Sequence, residues 1–527
     1  MSAACEESVR SRGTSGVALG AFRAVSAPLY LMYPQISGPS RVEKGIARVR
    51  SIRVAFALLA MMLVSTACGA RLSPKDLAAA RRGATGIGLT AGEASGGQST
   101  DTGGTAGSAG GTGAAAGATG GGAASAAGAK AATGAAAASS TGGATCKSGT
   151  PSSDPGVSAT EIHFGNVSTT GGPVPGIFAG ARDGVNAFFA YQNSQGGLCG
   201  RQLNLDFQDD NLDASRNQQA YQQLSAKDLG IVGSFSVVDE GGSQVIGSHP
   251  DMPDASYALS KARYSLANNF SPQPLRVPGW PLGTLQYFKT TFGPSVITKM
   301  AYFTEDVQSA KDAASGQKAA ASSLGYQFVY ERVTEPTDTD FTADVSNMKG
   351  KGVQGVMMAG DAGQMARIAA AMKAQGFTVP LATWGANAYD KQFVDNSQGG
   401  SEGALISPVA TAMYAGEDAG AVPEVALFNQ WLKRVGGKPD FFAAMGWASA
   451  RLMVQAVQTG GAPTRAAIMG ALKGIHKFDS NGLLASADPA GKGPPTCWII
   501  IDVKGGKFTR NPATPSGFRC DPGGYFG

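Results

Sequence analysis

Few residues of this 527-residue chain are of the kinds that build metal or nucleic-acid sites. It has only three histidines and six cysteines, and no two cysteines have Cys-x-x-Cys spacing, which disfavours a zinc site. The net charge is +5, from 43 basic and 38 acidic residues. No basic stripe with interleaved aromatic residues is present, so nucleic acid is disfavoured as a partner. We therefore expect no metal, no cofactor and no nucleic acid.

The longest apolar run, Val54–Val64, is followed by Ser65-Thr66-Ala67-Cys68. Basic residues precede it, as in an export signal: Arg41, Lys44, Arg48, Arg50 and Arg53. Ala67-Cys68 resembles a bacterial lipobox, in which the cysteine thiol receives a diacylglycerol and becomes the N-terminus. This resemblance predicts lipidation at Cys68, and ordinary signal cleavage is the alternative. A spanning helix is disfavoured because the run covers only about 16 Å of a hydrocarbon core of about 30 Å.

Two N-terminal regions are set apart from the fold. Residues 1–67 are interpreted as a signal region, of which 1–41 reflect a start codon placed too early. Residues 68–145 are predicted to form a lipid-anchored flexible linker, because from Gly96 to Thr145 only three residues are not Gly, Ala, Ser or Thr. Such a segment cannot offset its ordering entropy. As a coil from Gly69 to Thr145 it would reach roughly 50 Å.

Four cysteines remain after Cys5 in the leader and the predicted lipidation site: Cys146, Cys199, Cys497 and Cys520. An even number in an oxidising compartment predicts two disulfides, with three connectivities to choose from. We favour Cys146–Cys199 and Cys497–Cys520, because each pair would tie a domain terminus to a nearby element.

Short apolar runs alternate with stretches of helical period from residue 161 onwards, which predicts an α/β fold with parallel sheets. Two such sheets fit the length. Strands are predicted at Glu161–Val167, Gln202–Phe207, Gly230–Gly233, Ile297–Phe303, Gln327–Arg332, Gly355–Ala359 and Val379–Thr383. Helices are predicted at Gly180–Asn193 and Ala214–Lys227. Near the C-terminus, Trp498–Val503 and Lys507–Arg510 flank a Gly-Gly pair, which predicts a hairpin.

Four segments resemble, in the right order, the solute-binding proteins of branched-chain amino-acid type transporters. They are Asn193–Arg201 with Asp209-Asp210, Thr339–Phe341, Gly446–Gly460 and the final hairpin. The resemblance covers about residues 161–511 and implies a type I periplasmic-binding fold, with two doubly wound Rossmann-like lobes joined by a hinge. It places lobe 1 at about 160–275 and 403–475, and lobe 2 at about 276–402 and 476–527.

The function implied by the resemblance is a receptor without catalysis. It would close on a small polar solute (an amino acid, amide or related carboxylate) and hand it to an ABC permease. The protein would act as a monomer on the extracytoplasmic face of the cell membrane, held there only by its lipid anchor. A ligand sensor on the same fold, signalling to a membrane partner, is the alternative.

The resemblance also implies where the solute binds. Loops after the first and third strands would hold a carboxylate through Ser168, Thr169, Thr170, Ser234, Phe235 and Ser236. Since Thr304–Gln308 lacks the family's Tyr-Gly pair, the partner of an amino group is open among Glu305, Asp306 and Asp361, and Trp384 would form an apolar wall. Each of these residues has a structural alternative. The hydroxyls would cap helices, the acids would lie in exposed loops, and the indole would be part of the hydrophobic core.

Two other sequence patterns are typical of an esterase and of a calcium site. Gly399–Gly403 matches the Gly-x-Ser-x-Gly pattern of an esterase with Ser401 as nucleophile and His476 downstream, but polar residues precede it where a buried strand is required. Four aspartates lack the spacing of a helix-loop-helix calcium site and are predicted to end a strand and cap the next helix: Asp206, Asp209, Asp210 and Asp213.

Overall fold

The computed structural model describes residues 146–514, 516–520 and 524–527. The signal region, the linker and Cys68 lie outside the described residues, so the inferences about them stay predictions. Within the described part, helices are either too short or too polar to cross a membrane. The described residues form two main sheets flanked by helices, which confirms the predicted α/β class.

The first sheet has four parallel strands in the order β2-β1-β3-β4. The strands are β1 Glu161–Ser168, β2 Gln202–Asp209, β3 Ile231–Val232 and β4 Asp254–Ala255. Helix α1 Ala179–Ser194 connects β1 to β2, and α2 Ala214–Lys227 connects β2 to β3. The first three strands and both helices confirm the predictions. The two residues of β4 are too few to give a periodic signal.

The second sheet follows in sequence after β5 Trp280–Pro281, which pairs with the last strand. Its order is β12-β11-β10-β9-β8-β6-β7, with β13 beside β11. Its strands are β6 Met300–Glu305, β7 Phe328–Thr334, β8 Gly355–Ala359, β9 Leu381–Trp384, β10 Leu405–Val409, β11 Cys497–Lys504, β12 Lys507–Arg510 and β13 Arg519–Cys520. The last strand, β14 Tyr525–Phe526, forms a separate two-stranded sheet with β5. Neighbours from β7 to β10 are parallel, whereas β11 is antiparallel to β10 and β12.

The remaining helices divide between the sheets. The first sheet, with α1 to α4 and α11 to α14, is called lobe 1, and the second, with α5 to α10, is called lobe 2. The bounds are α3 Ser243–Gly247, α4 Lys261–Tyr264, α5 Gly283–Phe292, α6 Pro294–Ile297, α7 Gln308–Ser323, α8 Thr342–Gly350, α9 Ala362–Ala374, α10 Lys391–Asn396, α11 Asp418–Ala421, α12 Pro423–Arg434, α13 Phe441–Gly460 and α14 Arg465–Leu472. The chain therefore passes between the lobes three times.

Strand β10 shifts one of the expected lobe boundaries. It pairs with β9 on one side and β11 on the other, so it belongs to the sheet of lobe 2. The chain returns to lobe 1 after Val409 and not at about residue 403. The sequence hides this strand because Pro408 interrupts a short apolar run, and a proline inside a run lowers its resemblance to a strand.

The C-terminal hairpin confirms its prediction. Lys504 of β11 pairs with Lys507 of β12, which leaves Gly505 and Gly506 as a two-residue loop. Their φ angles are +56° and +68°. A two-residue turn with both φ angles positive matches the twist of the flanking strands and is adopted most readily by glycine.

Two disulfides stabilise the ends of the described chain. Cys146 is bonded to Cys199, and Cys497 is bonded to Cys520. This is the connectivity favoured from the sequence. The first ties the segment before β1 to the turn before β2, and the second ties the start of β11 to β13.

Helices α1 and α13 form the tightest helix pair of lobe 1. Cβ atoms built on Gly184 of α1 and on Gly446 of α13 would lie closer than 3.0 Å to carbonyl oxygens of the facing helix, at Ala443 and Ala181 respectively. The absence of side chains at these two glycines lets the backbones approach. Helix α13 is buried along almost its whole length, so this contact carries the core of lobe 1.

Candidate functional site

A cavity of about 670 Å³ lies between the lobes and is lined by both. Lobe 1 contributes the loop before α1 and the start of α13. Lobe 2 contributes Glu305 at the end of β6 and residues 359–363 at the end of β8. Open α/β sheets bind ligands beyond the carboxyl ends of their strands, and this cavity has that position. It is also of the size usual for small-molecule sites.

The three segments in which the chain crosses between the lobes meet beside the cavity. A side chain of the first segment bonds to the other two. Gln273, on the first crossing, is buried, and its Nε2 donates to Ala410 O at 2.8 Å and to Ala485 O at 3.2 Å. Ala485 N also donates to Ala410 O at 2.8 Å. Gln273 and Ala410 both line the cavity. The site therefore adjoins the segments about which the lobes can rotate.

Five aromatic rings form a continuous wall on the lobe 1 side of the cavity, here called the aromatic wall: Phe178, Phe235, Tyr257, Phe441 and Phe442. Phe235 lies 4.7 Å from Tyr257 in a stacked arrangement and 5.2 Å from Phe442. Phe178 lies 4.6 Å from Phe442, edge to face. Since all five are buried against one another, the wall is held in place before any ligand arrives.

Two acids from lobe 2 face this wall across the cavity. Asp361 N donates to Glu305 Oε2 at 2.8 Å. Asp361 Oδ1 caps α9 by accepting from Gly363 N at 2.6 Å and Gln364 N at 3.0 Å. Its Oδ2 is buried with no hydrogen-bond partner among the described residues. One carboxylate oxygen in this pair is therefore unused by the protein.

The electrostatics of the pair follow from its burial. Glu305 and Asp361 are only 2% and 6% exposed. Burial, and then the neighbouring charge of Asp361, raises the pKa of Glu305 to about 8, while Arg367 opposes the shift. Burial also raises the pKa of Asp361, opposed by the amides that it caps and by Arg367. These causes favour the protonated form of Glu305 near neutral pH.

Of the ten residues named as candidates to bind the solute, Phe235, Glu305 and Asp361 line the cavity. The five predicted hydroxyls are absent from the lining and bind the protein itself. Their partners are Asn166 Oδ1 and Phe235 N for Ser168, Asp210 Oδ1 for Thr169, Asp209 Oδ2 for Thr170, Val167 N for Ser234, and Asn217 Nδ2 and Val238 N for Ser236. Their role as ligand contacts stays a prediction, and the observed bonds fix the loops after β1 and β3.

Trp384 and Asp306 also lie away from the lining. The indole of Trp384 is 1% exposed and packs against Phe393, as its structural alternative foresaw. Asp306 pairs with Lys311 on the first turn of α7. Their contribution to binding stays a prediction that the geometry does not support.

The predicted structural role is observed for Asp209, which ends β2, and for Asp213, which caps the next helix, whereas Asp206 lies within β2 and pairs with Lys227. Asp213 caps α2 by accepting from Arg216 N, and Asp209 and Asp210 hold the loop after β1 through Thr170 and Thr169. Within residues 146–514, 516–520 and 524–527, no group of three His, Cys, Asp or Glu side chains is placed to hold a metal ion.

The esterase pattern has the wrong surroundings. Ser401 follows α10 and precedes β10, so it lies between a helix and a strand and not between a strand and a helix. Its Oγ is paired with Ser397 Oγ at 2.8 Å, and His476 is paired with Asp488. These contacts give Ser401 no base.

The sequence did not reveal Tyr257, Phe441, Phe442, Asp440 or Gln273 as site residues. Asp440-Phe441-Phe442 was detectable as the start of a helix, because Asp440 Oδ1 accepts from Ala443 N as an N-cap. No local pattern points from those rings to Tyr257, which lies 6.0 Å from Phe441 only in the folded chain.

Comparisons with known proteins agree with this architecture. Residues 161–507 match the model of a family described as periplasmic binding protein. A branched-chain amino acid ABC transporter protein from Thermus thermophilus with bound valine has a TM-score of 0.60 and 16% identity, over 69% of this chain and 97% of that one. A fatty acid ABC transporter substrate-binding protein from Thermomonospora curvata has a TM-score of 0.57 and 18% identity, over 72% and 98%.

An extracellular ligand-binding receptor from Verminephrobacter eiseniae has a TM-score of 0.57 and 17% identity, over 66% of this chain and 100% of that one. No curated protein sequence matches the chain. Because these identities are low, the structural likenesses establish the fold. Together with the family match over residues 161–507, they show that the chain belongs to the periplasmic binding protein family, with the type I fold of branched-chain amino-acid transporter receptors.

Proposed function

We propose that this protein captures a small solute between its two lobes and delivers it to an ABC permease, while a lipid on Cys68 holds it at the extracytoplasmic face of the membrane. The observation that carries this proposal is a cavity lined by both lobes and placed beside the three crossing segments. A solute there would contact both lobes at once and would favour the closed arrangement by its differential contacts.

The solute contacts that we propose are the three predicted residues in the lining. Phe235 would pack against the body of the solute as part of the aromatic wall, and Glu305 and Asp361 would bind its polar end. The sequence pointed to an amino acid, an amide or a related carboxylate. One structural relative has valine bound and another is a fatty acid ABC transporter substrate-binding protein, so the fold alone does not select among solute classes.

Solute capture is tested with the full chain, purified in detergent, against a panel of amino acids, amides, carboxylates and amines. A solute that binds the folded state alone, at a free concentration 100 times Kd, is expected to stabilise it by about 2.7 kcal/mol. Thermal unfolding followed by circular dichroism would show this as a rise in Tm, and small-angle scattering would show a smaller radius of gyration. If no member changes either quantity, the capture proposal is wrong.

The anchor is tested separately by Cys68→Ser. We expect the variant protein to appear in the soluble fraction or to accumulate unprocessed, because it has no thiol to lipidate. Its solute affinity should stay within about twofold of the wild type, since the cavity lies wholly within residues 174–525. Cys5→Ser, which changes a thiol of the leader, is the matched control and should leave the protein in the membrane fraction. Retention of processed Cys68→Ser protein, with its signal region removed, in that fraction after an alkaline wash would contradict lipid anchoring.

A further inference from the structure

We propose that the cavity takes an apolar or aromatic amine, a solute with one positively charged nitrogen and no carboxylate. This inference rests on the proposed function and narrows the solute class that the sequence suggested. Three features of the cavity carry it: the aromatic wall, the excess of acidic over basic lining residues, and the acidic side chain that covers the first turn of α1.

The aromatic wall fits an apolar body. Its five rings are packed edge to face or stacked, with centroid distances of 4.6 to 6.0 Å between neighbours. Buried aromatic rings contribute large contact areas, and a further ring packed against them is favoured beyond its area alone. A ring face also attracts a cation that lies over it. The wall therefore favours a solute that is itself largely apolar.

The charged side chains of the lining are mostly acidic. There are five carboxyl groups (Asp183, Glu305, Asp361, Asp390 and Asp440) against two cations, Arg367 and Lys438. Burial is the first cause of a raised pKa at Glu305, Asp361, Asp390 and Asp440, with neighbouring acids adding to it at Glu305, Asp390 and Asp440. A cavity that already holds back the ionisation of its own acids disfavours another anion and favours a cation.

Helix N-termini are where a helix in the cavity wall would attract an anion; the first turn of α1 is already covered, whereas that of α7, at Ser309 and Ala310, has no side-chain cap. The carboxylate of Asp440 lies against Gly180, so closely that a Cβ built there would overlap it. Because helix N-termini attract negative charge, a solute carboxylate would have to displace this side chain. The hydroxyls after β1 and β3 are likewise bonded to the protein and lie outside the lining.

A cation, in contrast, is offered a pair of carboxyl groups. Glu305 and Asp361 both line the cavity, and Asp361 Oδ2 has no hydrogen-bond partner among the described residues. This oxygen has almost no accessible surface, so an ammonium group, with its three N–H donors, would bind Glu305 first and reach Asp361 Oδ2 through a rotation of that side chain. The charged groups facing Glu305 are Asp361 at the end of β8 and Arg367 on α9. Because burial and Asp361 favour the protonated form of Glu305, binding an ammonium ion would drive its proton into solution.

Three probes that share one ring separate the solute classes: 2-phenylethylamine is a cation, phenylalanine a zwitterion and 3-phenylpropanoate an anion. Isothermal titration of the full chain at pH 8 is expected to show the amine binding at least about tenfold more tightly than the other two. The affinity for the amine should rise about tenfold between pH 6.5 and pH 8, because Glu305 must lose its proton. At pH 6.5, where Glu305 is almost wholly protonated, titrations in buffers of different ionisation enthalpy should show about one proton released for each amine bound.

Glu305→Gln tests the site, with Glu331→Gln as matched control. Glu331 lies on β7, pairs with Lys318 and is absent from the lining. We expect Glu305→Gln to weaken amine binding at pH 8 about tenfold and to abolish both its pH dependence and the proton release. Glu331→Gln should change neither. The comparison of the three probes uses the wild type, so it stands even if a variant were poorly folded.

The inference is overturned if phenylalanine or 3-phenylpropanoate binds as tightly as the amine, or if Glu305→Gln leaves amine affinity and proton release unchanged. In either case a bound solute would still support the proposed function. If the three probes and the wider panel all fail to bind or to close the lobes, the proposed function fails together with this inference.

Discussion

Gly446→Ala is expected to destabilise the protein by about 3 kcal/mol. The new Cβ would lie closer than 3.0 Å to Ala181 O on α1. This obstacle is backbone inside a helix, so no side chain can rotate away. Helices α1 and α13 would have to separate, and the buried residues that surround them would lose their packing.

The measurement is urea unfolding of the wild type and the variant, followed by circular dichroism. The free energies of unfolding are compared with one common dependence on urea concentration for both proteins. Gly184→Ala on the facing helix should behave alike, because its Cβ would meet Ala443 O. The two changes touch one interface, so their costs should not add.

Gly470→Ala is the matched control for this prediction. Gly470 lies in α14, and a Cβ there would have no heavy atom within 4 Å. Alanine in an open helical position is expected to stabilise by up to about 1 kcal/mol. If Gly446→Ala behaved like Gly470→Ala, the close approach of α1 and α13 would be contradicted.

Glu305→Gln is expected to change how stability depends on pH. The pKa of Glu305 is raised from 4.5 to about 8, first by burial and then by the charge of Asp361. The folded state therefore holds this proton more tightly than the unfolded state does. The stability that it contributes is fully present below about pH 4.5 and is lost as pH rises to about 8.

Glutamine keeps an acceptor for Asp361 N and cannot ionise. Relative to the wild type, the free energy of unfolding of Glu305→Gln is therefore expected to rise by on the order of 3 kcal/mol between pH 5 and pH 9. Urea unfolding at several pH values in that range, without solute, measures this difference. Other buried acids such as Asp239 and Asp440 titrate in both proteins and cancel in the comparison.

Glu331→Gln serves as control here too, since its carboxylate lies on the surface beside Lys318. An exposed pair of this kind contributes less than about 1 kcal/mol, so the control should follow the pH profile of the wild type. If the free energy of unfolding of Glu305→Gln depended on pH as that of the wild type does, Glu305 would be ionised in the cavity. The proton release expected on amine binding would then be contradicted.

Much of the fold was predictable because its signals are local. Ala214–Lys227 was placed with its bounds correct, since Asp213 supplies the cap and the apolar residues have helical spacing. The hairpin followed from Gly505-Gly506, whose positive φ angles few other residues adopt. The disulfides followed from cysteine number and position. In contrast, β4 and β10 were missed, because two residues, or a run containing proline, give no periodic pattern.

The residues of the candidate site were likewise predictable only in part. The sequence by itself determined that loops after successive strands meet at one edge of each sheet, which brought Phe235, Glu305 and Asp361 into consideration. Only the tertiary structure decided which groups point into the cavity. The hydroxyls of Ser168 and Ser234 turn inward and accept from the backbone amides Phe235 N and Val167 N, because buried amides require an acceptor. The aromatic wall joins Phe178 to Phe442 across most of lobe 1 through packing, which no local pattern encodes.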